Sequence, residues 1–334
     1  MANEVLNSLL KEYEQKRMKS ELYLEKRKEK LYLEYPELQD IEDELNSYAI
    51  KTAKNILLNS SSNIELLNKK IEDLRKKKKK IFLAHNIPED FLSPSYECKI
   101  CNDTGYVLGK DYRSQMCNCL KQRLLNVSYN KSNISSLDKQ NFSNFNINIF
   151  SDEINPAKYN VNISPRKNIL NIKNKCIDFI NNFENPNCKN LLFTGNTGLG
   201  KTFMSNCIAY ELLKKGYSVL YQTAPVLFET IIDNKFNKYK NSQQDLFYKN
   251  VLDVDLLIID DLGTEFLNGM KLSEFFTILN TRLLNLNSKV TKTIISTNLN
   301  IEQLFKNYEE RIGSRIAGNY DIIYFFGDDL RFKH

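Results

Sequence analysis

Residues 190–202 read "NLLFTGNTGLGKT", an apolar run that breaks into a glycine-rich stretch and closes on a lysine and a threonine. The run has the length of a buried strand, and "TFMSNCIAYELL" directly after it has the composition of a helix. Between them the spacing G-x-x-x-x-G-K-T falls on Gly195, Gly200, Lys201 and Thr202. A loop of this kind turns successive backbone N–H groups inward around an anion, and the helix start that follows adds a dipole favouring negative charge. Gly195, Asn196, Thr197, Gly198, Leu199 and Gly200 are therefore the expected phosphate cradle. Lys201 is placed to pair with β- and γ-phosphates and Thr202 Oγ1 to face Mg2+, which makes a nucleoside triphosphate such as ATP the expected ligand.

Working outward, "YSVLYQT", "VDLLIIDD" and "KTIISTN" are further short apolar runs, separated by helical stretches over 201–214, 225–237 and 271–285, with another helix before the first strand at 167–183. Strands alternating with helices predict an α/β domain with a parallel sheet covered on both faces, and such sheets bind ligands at the carboxyl ends of their strands. The second run ends there in two carboxylates. Asp260 is the expected Mg2+ partner, and Asp261 the candidate to orient or deprotonate an attacking water. Asn298 ends the third run as a polar group for the water or the γ-phosphate. "YEERIGSRIAGNY" then offers Arg311 and Arg315, and "GDDLRFKH" offers Arg331; each alone is more often a surface residue, and their order after two nucleotide motifs raises them.

Upstream, residues 1–95 are dense in Glu, Lys and Leu, and through residue 85 contain no Gly and a single Pro, Pro36. Apolar residues at helical spacing (Leu6, Leu9, Leu10, Tyr13; Ile64, Leu67, Ile71, Leu74) predict long helices broken near Pro36, either a plain structural bundle or a docking surface. The next segment, 96–125, holds Cys98, Cys101, Cys117 and Cys119 as CxxC and CxC around Gly105 and Gly109. Four thiolates on two tight turns suit a closed tetrahedral Zn2+ site, structural because no position is left for water, with a redox pair or an iron–sulfur cluster as the alternatives. The Asn/Ser-rich stretch 126–163 reads as a linker, and 164–334 as the nucleotide-binding domain.

Composition bounds the rest. With 334 residues and 42% hydrophobic content the chain supports folded domains, and no window has the length and apolarity of a membrane span. The early charges of "MANEVLNSLLKEYEQKR" argue against a secretory leader, so a cytoplasmic protein without disulfides is expected. The net charge of +6 is modest, and "RKKKKK" at 75–80 is either a nucleic-acid contact or a solvated helix face.

The run "LLFTGNTGLGKTF … LLIIDDLGTE … TIISTNL … RIGSRI" resembles the AAA+ ATPases of the DnaC/DnaI type, the replicative helicase loaders of the IstB-like/DnaC ATP-binding family, and their relatives that assist IS21-type transposition. "CKICNDTGYV … CNCLKQRL" is similar to the cysteine-containing N-terminal region of loaders from low-GC Gram-positive bacteria. The resemblance implies an ATPase that loads the hexameric DnaB-type helicase onto single-stranded DNA, with the N-terminal region gripping the helicase. It implies that Asn298 is sensor 1, that Arg315 is an arginine finger acting on a neighbouring subunit of a homo-oligomer, and that Arg331 is the sensor 2 arginine with no lid domain after it. Lys235, Phe236, Lys238 and Tyr239 in "DNKFNKYKN" are expected helpers in holding single-stranded DNA, against the plainer reading of an amphipathic helix. The rivals are a transposition helper and an adaptor switched by ATP without hydrolysis.

Overall fold

The computed structural model describes residues 2–57, 64–109, 112–128, 137, 139–236, 242–285 and 289–332. The chain divides into two compact units, Asn7–Gln115 and Met116–His334 with Met1–Leu6.

The first unit is built from three helices, α1 (Ala2–Glu34), α2 (Pro36–Leu57) and α3 (Ile64–Ala84), followed by a two-stranded ribbon of β1 (Tyr106–Leu108) and β2 (Ser114–Met116). The break falls where the proline predicts it: Pro36 opens α2, a position where its missing N–H has no helical partner to lose. Leu31, Leu38 and Phe82 are buried together where the three helices meet. The basic run on α3 is partly neutralised within this unit, since Lys78 pairs with Glu42 and Lys79 lies 2.6 Å from Glu89. Ser20 Oγ donates to Ser95 O (2.9 Å) and Arg27 to Ser93 O (2.9 Å), so α1 anchors the chain just ahead of the first cysteine pair.

The second unit begins with α4 (Asn118–Ser128) and, after the short α5 (Pro156–Tyr159), runs α6 (Pro165–Asn181), β3 (Asn190–Thr194), α7 (Lys201–Lys214), β4 (Val219–Thr223), α8 (Ala224–Phe236) and α9 (Ser242–Asp253). It continues through β5 (Leu256–Leu262), α10 (Gly269–Asn285), β6 (Lys292–Thr297), α11 (Ile301–Asn307), α12 (Glu309–Asn319) and β7 (Tyr320–Tyr324). The five strands from β3 to β7 form one sheet in the order β4-β5-β6-β3-β7, with every pair parallel. The expected α/β class is therefore what folds.

Alternate residues of each strand feed two cores. Leu191, Phe193, Tyr221, Ile258 and Ile294 face α6 and α7; Leu192, Leu220, Leu257, Ile259 and Ile295 face the layer of α8 to α12. Burial on both faces explains why the strands read as continuous apolar runs rather than as alternating ones. Leu137 and Phe150, from the stretch read as a linker, join the α6/α7 core. At the outer edge of β4, Gln122 of α4 accepts from Val219 N (2.7 Å) and donates to Val219 O (3.0 Å), filling one position of a missing neighbour strand.

The chain leaves β3 toward the far edge, returns strand by strand to β6 beside β3, and only then adds β7 on the other side. The carboxyl end of β3 is thus the point where strand order reverses, the place where open parallel sheets leave a crevice.

Candidate functional site

The loop Gly195–Gly200 leaves that crevice and wraps the start of α7. Its geometry depends on glycine. Gly195 has φ +141°, and a Cβ there would lie 2.1 Å from Phe325 O; Gly198 has φ +72°, and a Cβ there would lie 1.8 Å from the Asp329 carboxylate. The chain after β7 thus closes over the loop, with Leu330 N donating to Gly198 O at 3.0 Å.

Lys201 is buried, and its ammonium donates to Gly195 O (2.6 Å), Asn196 O (2.7 Å) and Asn298 Oδ1 (2.7 Å). Burial pulls its pKa down to about 8, against the pull of Asp261 and Asp260 in the other direction. Thr202 Oγ1 donates to Asp260 Oδ2 at 3.0 Å. The β-bulge between Ile259 and Leu262 places Asp261 at φ +55°, a left-handed conformation that aspartate tolerates better than most residues. Successive carboxylates on a regular strand would point to opposite faces, so the bulge re-aims the second one. Burial pushes the Asp261 carboxyl up, Asp260 adds to that, and Lys201 and Arg331 oppose it. A carboxyl held this way is a better proton acceptor than a freely solvated one.

The Asp260 carboxylate is surrounded by donors. Oδ2 accepts from Thr202 Oγ1 and Tyr221 OH; Oδ1 accepts from Ser296 Oγ and from Asp261 N at 3.2 Å. Tyr221, Asp260 and Ser296 come from three adjacent strands, β4, β5 and β6. Sequence reasoning did not reach Tyr221 or Ser296. The signal available was their place on the same sheet face as Asp260, which required knowing the strand order. It also missed Glu265, buried, which accepts from Gly263 N (2.9 Å) and from Tyr308 OH and so fixes the turn after the bulge.

The structure therefore brings together Lys201, Thr202, Asp260, Asp261 and Asn298, with Arg331 near enough to act electrostatically on Lys201 and Asp261. It does not bring Arg315 there. Arg315 on α12 donates to Asn280 Oδ1 (3.0 Å), and its guanidinium lies 4.4 Å from the centre of the Phe276 ring; Arg311 lies 4.6 Å from the same ring. Lys235 pairs with Glu274, while Lys238 and Tyr239 and the side chain of Phe236 lie outside the described residues. Beside the loop, Asn148, Ile149, Phe150, Asp152, Arg166 and Phe332 line an open cavity of about 640 Å3.

The donor set fits a triphosphate with a divalent cation: a loop with glycines at positive φ leading into a helix N-terminus, one ammonium, and a hydroxyl and carboxylate 3.0 Å apart. The cysteines also fit their expected metal. The Sγ atoms of Cys98, Cys101, Cys117 and Cys119 lie within 4.8 Å of one another, as four ligands of one small ion would. Around the first pair, Asp103 accepts from Glu97 N (2.9 Å) and Cys98 N (2.8 Å), with Asn102, Asp103 and Gly105 all at positive φ to make the turn.

Among the described residues no helix is long and apolar enough to cross a membrane. Residues 156–313 match the family model of the IstB-like ATP binding proteins. The "Replicative helicase loader DnaC" of Escherichia coli (strain K12) is 29% identical over 163 residues, 48% of this chain and 64% of that protein. The "Chromosomal replication initiator protein DnaA" of Aquifex aeolicus (strain VF5) is 30% identical over 145 residues, 42% of this chain and 33% of that one. A crystal structure of the DnaC helicase loader superposes with a TM-score of 0.41 at 24% identity, covering 48% of this chain and 90% of that one, too loose a superposition to weigh. The chain spans less than two thirds of the length of the DnaC proteins it matches. Residues 156–313 of this chain are thus similar to IstB-like ATP binding proteins, and about half of the chain is similar to DnaC-type helicase loaders.

Proposed function

We propose that this protein is an ATP-dependent loader of the hexameric replicative DNA helicase of the DnaB type, acting on single-stranded DNA in the cytoplasm. The observation that carries the ATPase reading is the convergence of Lys201, Thr202, Asp260 and Asn298 at the reversal point of the sheet, within 3.0 Å links. On this reading Lys201 turns from Asn298 to the β- and γ-phosphates, and the base lies in the cavity beside Phe150 and Phe332. Thr202 and Asp260 hold Mg2+, which would neutralise phosphate charge. Asp261 takes the proton of the attacking water and Asn298 orients it. Arg331 serves the same site in cis. Arg315, stacked on Phe276 away from its own Lys201, serves a neighbouring copy in trans. The four cysteines hold Zn2+, and the helical region before them is the docking element for the helicase. The family match also favours a second reading, a helper of IS21-type transposition; that protein would use the same site but would engage a transposase.

ATP turnover in the presence of helicase and single-stranded DNA tests the enzymatic part. Lys201→Ala and Arg315→Ala are each expected to be inactive. An equal mixture of the two is expected to regain about a quarter of the wild-type rate, because one neighbouring pair in four joins an intact Lys201 to an intact Arg315. A mixture as dead as its components contradicts action in trans, and a wild-type protein without turnover leaves the non-hydrolysing adaptor as the reading.

A further inference from the structure

Asp260 is buried toward the carboxyl end of β5, and among the described residues the hydrogen-bond donors to its carboxylate are all neutral. Four donors saturate it, two to each oxygen: Thr202 Oγ1 and Tyr221 OH on Oδ2, Ser296 Oγ and Asp261 N on Oδ1. Thr202 and Asp261 belong to the motifs already described. Tyr221 and Ser296 belong to neither. Tyr221 is 2% exposed and sits in register with Ile258, two residues before Asp260 on the same sheet face, so its ring lies along β5 with the hydroxyl at the carboxylate. Ser296 is fully buried on the opposite flank, and its Oγ also accepts from Asp261 N at 3.1 Å, tying the bulge to β6.

A terminal carboxylate torsion is broad and soft, so nothing in the backbone alone fixes which oxygen meets a cation. Donors on both flanks do fix it. We propose that Tyr221 and Ser296 are positioning residues for the divalent cation: from β4 and β6 they clamp the Asp260 carboxylate so that Oδ2 faces Thr202 Oγ1 before the cation arrives. The inference rests on the nucleotide reading of the site and adds the groups that orient its metal ligand. Of the three residues whose side chains donate to Asp260, Thr202 alone is exposed, and its hydroxyl is the one that can turn away from Oδ2 when a cation enters; Tyr221 stays and keeps the carboxylate in place. Partners that orient a metal ligand in this way affect metal affinity by roughly 10- to 100-fold when removed.

The test is the binding of a fluorescent ATP analogue to the full chain, titrated with Mg2+ and separately with Mn2+ and repeated without any divalent cation. Tyr221→Phe keeps the ring and removes the hydroxyl. It is expected to raise the Mg2+ concentration for half-maximal enhancement about tenfold while leaving metal-free binding at the wild-type value. Ser296→Ala is expected to shift the midpoint in the same direction. Ile258→Val, a core change in register with Tyr221 that leaves Asp260 its four donors, is expected to lower thermal stability slightly and to leave the Mg2+ midpoint alone. That pattern separates positioning from packing. Wild-type Mg2+ midpoints in both Tyr221→Phe and Ser296→Ala overturn the clamp while leaving the nucleotide site standing; equal losses in metal-free binding and stability, with an unmoved midpoint, also overturn it by making the role structural. A wild-type chain whose nucleotide binding ignores divalent cations overturns the reading of the site itself and the clamp with it.

Discussion

Proton uptake on nucleotide binding follows from the state of Lys201. Without a phosphate its ammonium is held by two loop carbonyls and Asn298 Oδ1, and burial pulls its pKa to about 8 from an ordinary 10.5. Phosphate oxygens close to that ammonium favour its charged form and return it toward the ordinary value. The sign is then fixed. Above pH 8 the free protein holds a partly neutral Lys201, the complex a charged one, so binding takes up a proton and affinity falls as pH rises. With a free value of about 8 and a bound value of 10.5, uptake is about 0.9 proton at pH 9. Affinity is then about tenfold weaker at pH 9 than at pH 7 and about 70-fold weaker at pH 10. The phosphate's own titration, near pH 6, lies outside this window. Calorimetry at pH 9 in two buffers of different ionisation enthalpy reads the uptake directly. Lys201→Arg supplies a cation that does not titrate there and is expected to lose the pH slope, whatever its absolute affinity. Uptake near zero at pH 9 in the wild type refutes the reasoning.

Other expectations follow from the same geometry. Arg282 is fully buried and donates to the carbonyls of Val251, Leu252, Val254 and Lys292 and to Thr293 Oγ1 at 2.7–3.2 Å, tying the end of α9 to β6. Arg282→Met strands those acceptors and is expected to cost about 3–5 kcal/mol in urea unfolding, with Arg282→Lys recovering part of it. Gly195→Ala places a methyl against the Phe325 carbonyl at a φ that L-residues avoid, and is expected to weaken ATP binding and lower stability by about 1–3 kcal/mol. Atomic spectroscopy is expected to find zinc at about one ion per chain. Cys101→Ser and strong chelators are expected to remove it and to lower the thermal midpoint; a metal-free wild type of unchanged stability contradicts the assignment.

The fold of the α/β unit was legible because its local and global signals agree. Strands buried on both faces gave unbroken apolar runs; the loop at 195–202 follows the end of β3, and the carboxylates at 260–261 sit near the end of β5, where a bulge carries the strand on to Leu262. Helix α7 begins at Lys201 and ends at Lys214, matching the reading of the sequence to the residue, because a glycine N-cap starts it and Gly216 follows its end. What escaped was non-local. β7 is an edge strand with only Tyr320 and Ile323 buried, so "YDIIY" lacks the long apolar run that marked its neighbours. Tyr221, Ser296 and Arg282 look like ordinary core-strand or helix residues until strand order places them beside Asp260 or under α9. Asp103 was invisible for another reason: a carboxylate in a turn between cysteines has no periodicity to betray that it organises backbone N–H groups.

On the proposed function, this chain grips a replicative helicase under control of ATP. Light scattering behind a size-exclusion column measures it most directly, with the full chain mixed with the replicative helicase of the same cell, with and without ATP. The account predicts a co-eluting complex of defined mass whose stability or stoichiometry changes with nucleotide, and loses that change in Lys201→Ala. Two separate peaks under both conditions, from proteins that are each folded and active in nucleotide binding, would contradict it.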